Sequence, residues 1–443
     1  MKIQLSDHFT YKKLARFVLP SIVMMAFSSI YGMVDGLFVS WYAGKTAFAS
    51  LNLVMPFIMI IGGMGFMVGT GGTALVSKIM GEGDRKRANE VFSMMILFGT
   101  ALGIVLSILG VIFMPQVVTF LNATPEMFDD SVLYGRVNLA FVVFFMLQNI
   151  FQSFCVAAEK PKLGLLATVF AGVSNMIGDA IFVAVLDKGV AGAALATGLS
   201  QVVGAGIPMA YFLFNKNGIL KLRFKALEWK PILSACFNGF SEFVGNVSSS
   251  VVGMLYNFQL LRYIGENGVS AYGVIMYIQF LFIALYFGYA IGVGPLVSYN
   301  YGSQNISELQ NLFRKSIKVM LCAGVLLVVT AELTAPLLAN VFVGYDEELR
   351  SLTTYAFRIY SMSLLFAGMN IYTSALFTSL NNGKISAISA VMRSLVFQAS
   401  AVITIPLIIG VEGIWFSNIF AECGCLLVNL CFLFHFRKEY HYC

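Results

Sequence analysis

The chain has 443 residues, of which 58% are hydrophobic and only 11% are charged, with a formal net charge of +6. A soluble protein of this length carries far more charge on its surface, so the composition excludes a soluble globular fold. The positive charge does not indicate nucleic-acid binding, because the basic residues follow the loops of a membrane protein.

Apolar stretches long enough to cross about 30 Å of hydrocarbon recur along the whole chain. Helices are the expected spanning element, since a barrel would show short alternating segments instead. The sequence predicts twelve spans, at 13–39, 47–77, 91–113, 132–156, 162–185, 190–214, 233–262, 269–299, 316–342, 351–377, 385–408 and 411–434. Their boundaries are uncertain by about four residues. The predicted fold class is an all-α polytopic membrane protein.

The two halves of the chain repeat each other at an offset of 221 residues. Matching pairs are Gly44 and Gly265, Gly71 and Gly292, Gly81 and Gly302, and Gly192 and Gly413. The polar loop after the sixth span divides the chain into an N-terminal lobe 1–215, a linker 216–232 and a C-terminal lobe 233–443. Because six spans is an even number, the lobes are predicted to be parallel repeats with a central site between them, as in secondary transporters.

The distribution of charge predicts how the chain lies in the membrane. Acidic clusters fall on one side, at Glu126 to Asp130 and at Asp346 to Glu348. Most of the 28 lysines and arginines fall on the other side, among them Lys2, Lys12, Lys13, Arg85, Lys86, Arg87, Lys216, Lys221, Arg223 and Lys225. The positive-inside rule therefore predicts that both termini are cytoplasmic, in the inner membrane of a bacterium.

Four polar residues in the N-terminal lobe form the first candidate site. A charge inside a span costs roughly 2.5–3.5 kcal/mol on insertion scales, so Asp35 and Asp179 need an explanation. Asn175 lies one turn before Asp179 on the same helix face, and Thr197 in the sixth span offers a hydroxyl. These oxygens are suitable ligands for Na⁺, or the carboxylates could hold a proton. The counterparts in the second lobe, Tyr256, Val396, Ser400 and Asn418, are not acidic.

Other charged residues within the spans each have two possible roles. Glu242 enters the seventh span and faces either the central cleft or the cytoplasmic gate. Glu422, near the middle of the twelfth span, either forms a structural pair or takes part in translocation. Both are candidates for gating or substrate binding, whereas Glu332 and Arg393 are expected in structural ion pairs or hydrated positions.

The combination of these motifs resembles the multidrug and toxic compound extrusion (MATE) transporters, and within them the MepA-like bacterial branch. The resemblance covers essentially the whole chain. It rests on Pro20 followed by Asp35, on Gly81-Glu82-Gly83-Asp84 and Tyr301-Gly302-Ser303, on Asn175 with Asp179, on Gly239 to Phe243, and on Gly413-Ile414-Trp415 with Glu422.

This resemblance implies two six-helix lobes arranged in a V that alternate between inward- and outward-facing states. It also implies export of organic cations driven by a proton or sodium gradient. The cation site of the family's N-terminal lobe matches Asp35, Asn175, Asp179 and Thr197, which would be metal ligands only if Na⁺ is the coupling ion. The tenth span has no acidic residue, in contrast to the NorM-like branch, so coupling is expected in the N-terminal lobe.

The predicted function is a secondary active multidrug antiporter that exports hydrophobic organic cations in exchange for H⁺ or Na⁺. We expect no cofactor and no nucleic-acid partner. The protein is expected to lie in the lipid bilayer and to function as a monomer. The alternative within the same superfamily is a lipid-linked oligosaccharide flippase, whose cleft would need several cationic residues. A membrane enzyme is a third hypothesis, but it would need clustered carboxylates or catalytic histidines, and His8, His435 and His441 all lie near the termini.

Overall fold

The structure, a computed structural model, describes residues 3–39, 42, 44–215, 218–223 and 226–443. Lys2, Lys216, Lys225 and parts of the predicted linker 216–232 lie outside these residues. The helices are α1 Tyr11–Phe38, α2 Gly44–Gly81, α3 Arg85–Phe120, α4 Pro125–Ala140, α5 Val142–Ala157, α6 Pro161–Asp179, α7 Gly189–Phe214, α8 Trp229–Asn238, α9 Phe240–Tyr263, α10 Glu266–Gly302, α11 Ile306–Val343, α12 Glu347–Ser361, α13 Leu364–Ser379, α14 Gly383–Val391, α15 Ala399–Ile409 and α16 Glu412–Tyr440.

Each predicted span coincides with one helix or with a broken run of helices. Among the described residues, nine helical segments are long and apolar enough to cross a membrane, and α4 with α5 forms a further span bent by 52°. The seventh predicted span is α8 with α9, which break at Gly239, and the tenth is α12 with α13. The eleventh span is α14 and α15, joined by a π-helical segment at Met392–Gln398.

Five boundaries differ from the helix ends by more than the expected four residues, namely both ends of the third span, the starts of the fourth and ninth, and the end of the twelfth. The largest difference is at the ninth span. The ninth span was predicted from residue 316, but α11 begins at Ile306. Asn305 accepts a hydrogen bond from the backbone N–H of Glu308 at 3.2 Å and so caps the helix earlier. Asp84 caps α3 in the same way, with Arg87 N–H at 2.9 Å, and it lies 221 residues before Asn305. The repeat therefore extends to the capping residues.

The N-terminal half (α1–α7) and the C-terminal half (α8–α16) meet most closely at the end of the molecule that holds both chain termini. We call it the terminal end. There Asn311 Nδ2 of the C-terminal half donates to the Phe9 carbonyl of the N-terminal half at 3.0 Å. Tyr442, near the C-terminus, packs on Phe313 at the same end, with their rings 4.9 Å apart. At this end α2 crosses α10. A Cβ built on Gly81 would lie 2.1 Å from the carbonyl oxygen of Tyr299.

The crossing is matched by its repeat. A Cβ built on Gly302 would lie 2.1 Å from the carbonyl oxygen of Lys78, which is the position equivalent to Tyr299. Deeper in the molecule, a Cβ on Gly71 would lie 2.0 Å from the carbonyl oxygen of Ala235. The repeated glycines thus allow direct backbone contact between the two halves.

Toward the opposite end, glycines of the same helix set face open space. A Cβ built on Gly32 in α1, Gly253 in α9 or Gly273 in α10 would meet no atom of a neighbouring element within 4 Å. The backbone contacts between the halves lie toward the terminal end, and the central site predicted from the repeat would occupy the space between the halves toward the other end. We call this space the cleft.

The segment before α1 joins both halves at the terminal end. The backbone N–H of Leu5 donates to Glu159 Oε1 at 2.9 Å, in the N-terminal half. The N–H of Phe9 donates to Glu308 Oε1 at 2.9 Å, and His8 Nδ1 lies 2.6 Å from Glu308 Oε2, in the C-terminal half. Leu5 and Phe9 are fully buried, so the segment is packed as well as hydrogen-bonded.

Replacing Glu308 by alanine is expected to destabilise the protein by about 1–3 kcal/mol, because the buried N–H of Phe9 would lose its acceptor. Glu308→Gln keeps one carbonyl oxygen and should lose less. Thermal unfolding of the detergent-solubilised protein measures both variants against Glu347→Ala, which removes an exposed carboxylate near the start of α12. Equal midpoints for all three variants would show that the Glu308 contact contributes little.

Candidate functional site

Three helices of the N-terminal half bring the four predicted site residues together. Asp35 extends from α1, Asn175 and Asp179 from α6, and Thr197 from α7. Thr197 Oγ1 lies 3.3 Å from Asp35 Oδ1, and Asn175 Nδ2 lies 3.4 Å from the same oxygen and 3.5 Å from Thr197 Oγ1. Asp35 and Asp179 are within range for their charges to interact.

Small residues allow these helices to come close enough for the polar side chains to meet. A Cβ built on Gly178 would lie 2.8 Å from the Cβ of Ala196, at the contact of α6 with α7. A Cβ on Gly172 would lie 2.5 Å from the ring of Phe27, at the contact of α6 with α1. Asp179 is the last α-helical residue before a π-helical segment at Ala180–Val185, a local widening that is frequent at functional sites.

The site has buried oxygen atoms that the protein does not satisfy. Asp179 is 0% exposed and Asp35 6% exposed. Both carboxylate oxygens of Asp179 and the amide oxygen of Asn175 have no hydrogen-bond partner among the described residues. Among the described residues, no lysine or arginine forms an ion pair with Asp35 or Asp179. Buried oxygens in this condition are costly unless a cation or a proton is bound.

The structure adds a residue that the sequence analysis missed. The hydroxyl of Tyr134 in α4 is buried without a hydrogen-bond partner among the described residues. It lies within electrostatic range of both Asp35 and Asp179. A tyrosine in a chain with 19 of them gives no sequence signal. Only the packing of α4 against α2 and α7 brings it to the carboxylates.

Glu422 lies apart from these four residues, in the C-terminal half. Its Oε1 accepts from Arg393 Nε at 2.8 Å and from Arg393 Nη2 at 2.7 Å, and its Oε2 accepts from Asn370 Nδ2 at 2.7 Å. Asn429 Nδ2 in turn donates to Asn370 Oδ1 at 2.9 Å. The structure therefore places Glu422 in a hydrogen-bonded ion pair.

The other charged residues of the spans differ in their partners. Glu332 Oε2 lies 3.5 Å from Arg358 Nε in a half-exposed ion pair. The carboxylate of Glu242 forms no hydrogen bond or ion pair within the described residues. Arg393 is close enough to act on it electrostatically.

Replacing Arg393 by methionine is expected to cost about 3–5 kcal/mol, because Glu422 would remain buried without its partner. The double variant Arg393→Met with Glu422→Gln should recover most of that stability. Thermal unfolding in detergent compares the three proteins. If the double variant is no more stable than Arg393→Met, the loss comes from packing and not from an uncompensated charge.

The family model described as MatE matches residues 20–181 and 243–404. The chain belongs to the MatE family. The two matches fall one in each half, in agreement with the internal repeat. The resemblance to MATE transporters that the sequence motifs indicated is therefore confirmed.

Curated relatives of this MatE protein are bacterial. The multidrug export protein MepA of Staphylococcus saprophyticus is 24% identical over 432 residues, covering 97% of this chain and 94% of that protein. MepA of Staphylococcus aureus is 25% identical over 435 residues, again covering 97% and 94%. The MepA-like branch and a multi-pass protein of a bacterial membrane are supported by these relatives.

Solved structures confirm the predicted fold of this MatE protein. An outward-facing conformation of a multidrug resistance MATE family transporter of the MOP superfamily matches with a TM-score of 0.93 at 22% identity, covering 99% of this chain and 98% of that one. A MOP superfamily transporter from Pyrococcus furiosus matches with a TM-score of 0.89 at 23% identity, covering 96% and 95%. The MatE family match and the curated MepA relatives, which are export proteins, confirm the prediction that the protein is not an enzyme.

Proposed function

We propose that this protein is a secondary multidrug exporter that expels hydrophobic organic cations in exchange for H⁺ or Na⁺. The MepA relatives are named as multidrug export proteins, which supports the direction of transport and a range of drug cargoes. The observation that carries the antiport mechanism is the buried pair Asp35 and Asp179, in which neither carboxylate oxygen of Asp179 has a hydrogen-bond partner among the described residues.

The chemistry of the pair explains why an ion would be exchanged. Two buried carboxylates at short range repel each other unless a proton or a cation compensates them. Protonation would neutralise one carboxylate. Alternatively, Na⁺ would take oxygen ligands from Asp35, Asn175, Asp179 and Thr197. Both ions remain candidates, and each would be carried through the site and not held as a permanent cofactor.

The proposed cycle couples this site to the closure between the halves. The excess of basic residues at the terminal end supports a cytoplasmic location for both termini, so the cleft opens to the outside. H⁺ or Na⁺ binds the carboxylates from outside, and cargo leaves the cleft. The ion must bind the two states with different affinity, or it cannot shift their populations. One chain contains both halves, so a monomer suffices.

Efflux of a fluorescent organic cation from proteoliposomes tests this proposal. Vesicles are loaded with ethidium, and an inward proton gradient or an inward sodium gradient is imposed separately. We expect efflux under one of the two, which also identifies the coupling ion. Empty vesicles, and vesicles with the ion gradient collapsed by an ionophore, serve as controls.

Folded protein that moves ethidium under neither gradient would overturn the antiport proposal. In that case the lipid-linked oligosaccharide flippase becomes the next hypothesis to test.

A further inference from the structure

Helices α11 and α12 form an open groove on the surface of the C-terminal half. It has a volume of about 660 Å³, a size typical of binding sites for small molecules. Helix α11 begins at the terminal end, where Glu308 contacts Phe9, so the end of α11 and the start of α12 lie at the opposite end. The groove belongs to that opposite end and is separate from the site at Asp35 and Asp179, which lies in the N-terminal half.

The two helices that form the groove differ in chemistry. On α11, Leu333, Leu337 and Val341 follow one another at helical spacing and are 77%, 64% and 70% exposed, so they form an apolar stripe that faces lipid. On α12, polar residues at helical spacing line the groove itself, namely Glu347, Ser351, Thr354 and Arg358. A polar stripe beside an apolar one suits an amphiphile that has a charged headgroup and apolar chains.

Two charged side chains of the groove lie at the depth of the hydrocarbon. Arg358 lies roughly 16 Å along α12 from its first residue, Glu347, and Glu332 lies the same distance from Val343 at the end of α11. Their side chains are 50% and 38% exposed. Charged groups that face hydrocarbon are costly, so a polar group brought in from the membrane would stabilise them.

The guanidinium of Arg358 has unused hydrogen-bond donors. Its Nε lies 3.5 Å from Glu332 Oε2, and within the described residues the side chain of Arg358 makes no hydrogen bond. A guanidinium carries N–H donors on all three of its nitrogens, in a planar arrangement that matches a phosphate group. Since Arg358 lines the groove, its terminal nitrogens are available to a phosphate bound there.

The charges around the groove favour a zwitterionic headgroup. The groove and its immediate partners hold two guanidinium groups and three carboxylates, which belong to Arg350, Arg358, Glu332, Glu347 and Glu412. The carboxylates would repel a headgroup that carries only negative charge. A headgroup with a phosphate and an ammonium instead offers a partner of opposite sign to each type of side chain, and phosphatidylethanolamine has this composition.

We propose that the groove binds a phosphatidylethanolamine molecule from the adjacent membrane leaflet, with its phosphate on Arg358 and its ammonium on Glu332. The acyl chains lie along the apolar stripe of Leu333, Leu337 and Val341. The headgroup gives polar partners to an ion pair that otherwise faces hydrocarbon. Binding of this lipid does not depend on the proposed export function, because the groove lies on the lipid-facing surface of one half.

Native mass spectrometry of the detergent-solubilised protein, titrated with dioleoylphosphatidylethanolamine or dioleoylphosphatidylglycerol, measures the dissociation constant of the first bound lipid. We expect the wild type to bind the ethanolamine lipid more tightly, and Arg358→Gln to weaken that binding about fivefold, since it removes a partly exposed charged donor. Arg358→Lys keeps the positive charge and should lose less. Glu332→Gln should bring the two affinities closer together, because it removes the partner of the ammonium.

Arg136→Gln is the matched control. Arg136 is an exposed arginine on α4, the helix that corresponds to α12 in the repeat, and its Nε donates to the carbonyl of Val111 at 3.1 Å. Its replacement should leave the affinity for the first lipid unchanged. Unchanged binding of the ethanolamine lipid in Arg358→Gln, or an equal loss in Arg136→Gln, would overturn the proposed site. A wild type that prefers phosphatidylglycerol, or a preference that Glu332→Gln does not alter, would also overturn it.

Discussion

Replacing Gly302 by valine is expected to lower gradient-driven efflux by about tenfold or more. A steric clash of roughly 1–3 kcal/mol would destabilise only the state in which the halves are closed at the terminal end. The Cβ would lie 2.1 Å from the carbonyl oxygen of Lys78, which is backbone and cannot move aside alone. Closure at the terminal end would then be disfavoured. Gly81→Val, at the equivalent position, should have the same effect.

Efflux of ethidium from proteoliposomes measures this, with Gly206→Val as the matched control. Gly206 is also a helical glycine, but a Cβ there would meet no neighbouring atom within 4 Å. All variants need a normal gel-filtration profile in detergent. Normal efflux in folded Gly302→Val protein would mean that the contact between α2 and α10 is not required in the transport cycle.

Replacing Asp179 by asparagine is expected to abolish the dependence of efflux on the ion gradient. The efflux rate should fall by about tenfold or more, because a coupling ion must bind the inward- and outward-facing states with very different affinities. Asparagine keeps the shape of the side chain but cannot carry a proton or a negative charge. Because an uncompensated buried carboxylate is costly, the variant should be at least as stable as the wild type.

The same vesicle assay and a thermal unfolding measurement test both parts. Asp187→Asn is the control, an exposed aspartate in the loop that follows the same span. Asparagine tolerates the positive φ of 47° at that position. Undiminished gradient-driven efflux in Asp179→Asn would leave the transporter function in place and remove Asp179 from the coupling mechanism.

The features of the fold that follow from hydropathy could be predicted from the sequence. The twelve spans were found because apolar length is imposed by the bilayer and not by packing. The glycine pairs of the repeat were also visible. Their role was not, because close packing within one half and contact between halves leave the same sequence pattern. Only the structure shows that Gly81 and Gly302 lie at the same crossing.

The candidate site was predictable only in part. Asp35, Asn175, Asp179 and Thr197 stand out as polar residues in apolar spans, and the structure brings their side chains together. Tyr134 gave no signal, because an interfacial tyrosine is ordinary in a membrane helix.

Charge pairs between distant spans were also beyond the sequence. Sequence spacing does not predict that Arg393 pairs with Glu422 and leaves Glu242 without a partner. These residues lie on α16, on α9 and on the π-helical segment at Met392–Gln398, which come together only through tertiary packing. The break at Gly239 was missed for the same reason, as a glycine within a span is usually a packing residue.

The central claim is that cargo and ion move in exchange, and ion movement driven by cargo alone tests it most directly. Proteoliposomes are prepared with an organic cation gradient and with no ion gradient, and internal pH is followed in one series and entry of radioactive sodium in another. The account predicts that H⁺ or Na⁺ moves opposite to the cargo in wild-type protein and that this counterflow is lost in Asp179→Asn. Cargo that runs down its gradient in the wild type while neither ion moves would contradict it.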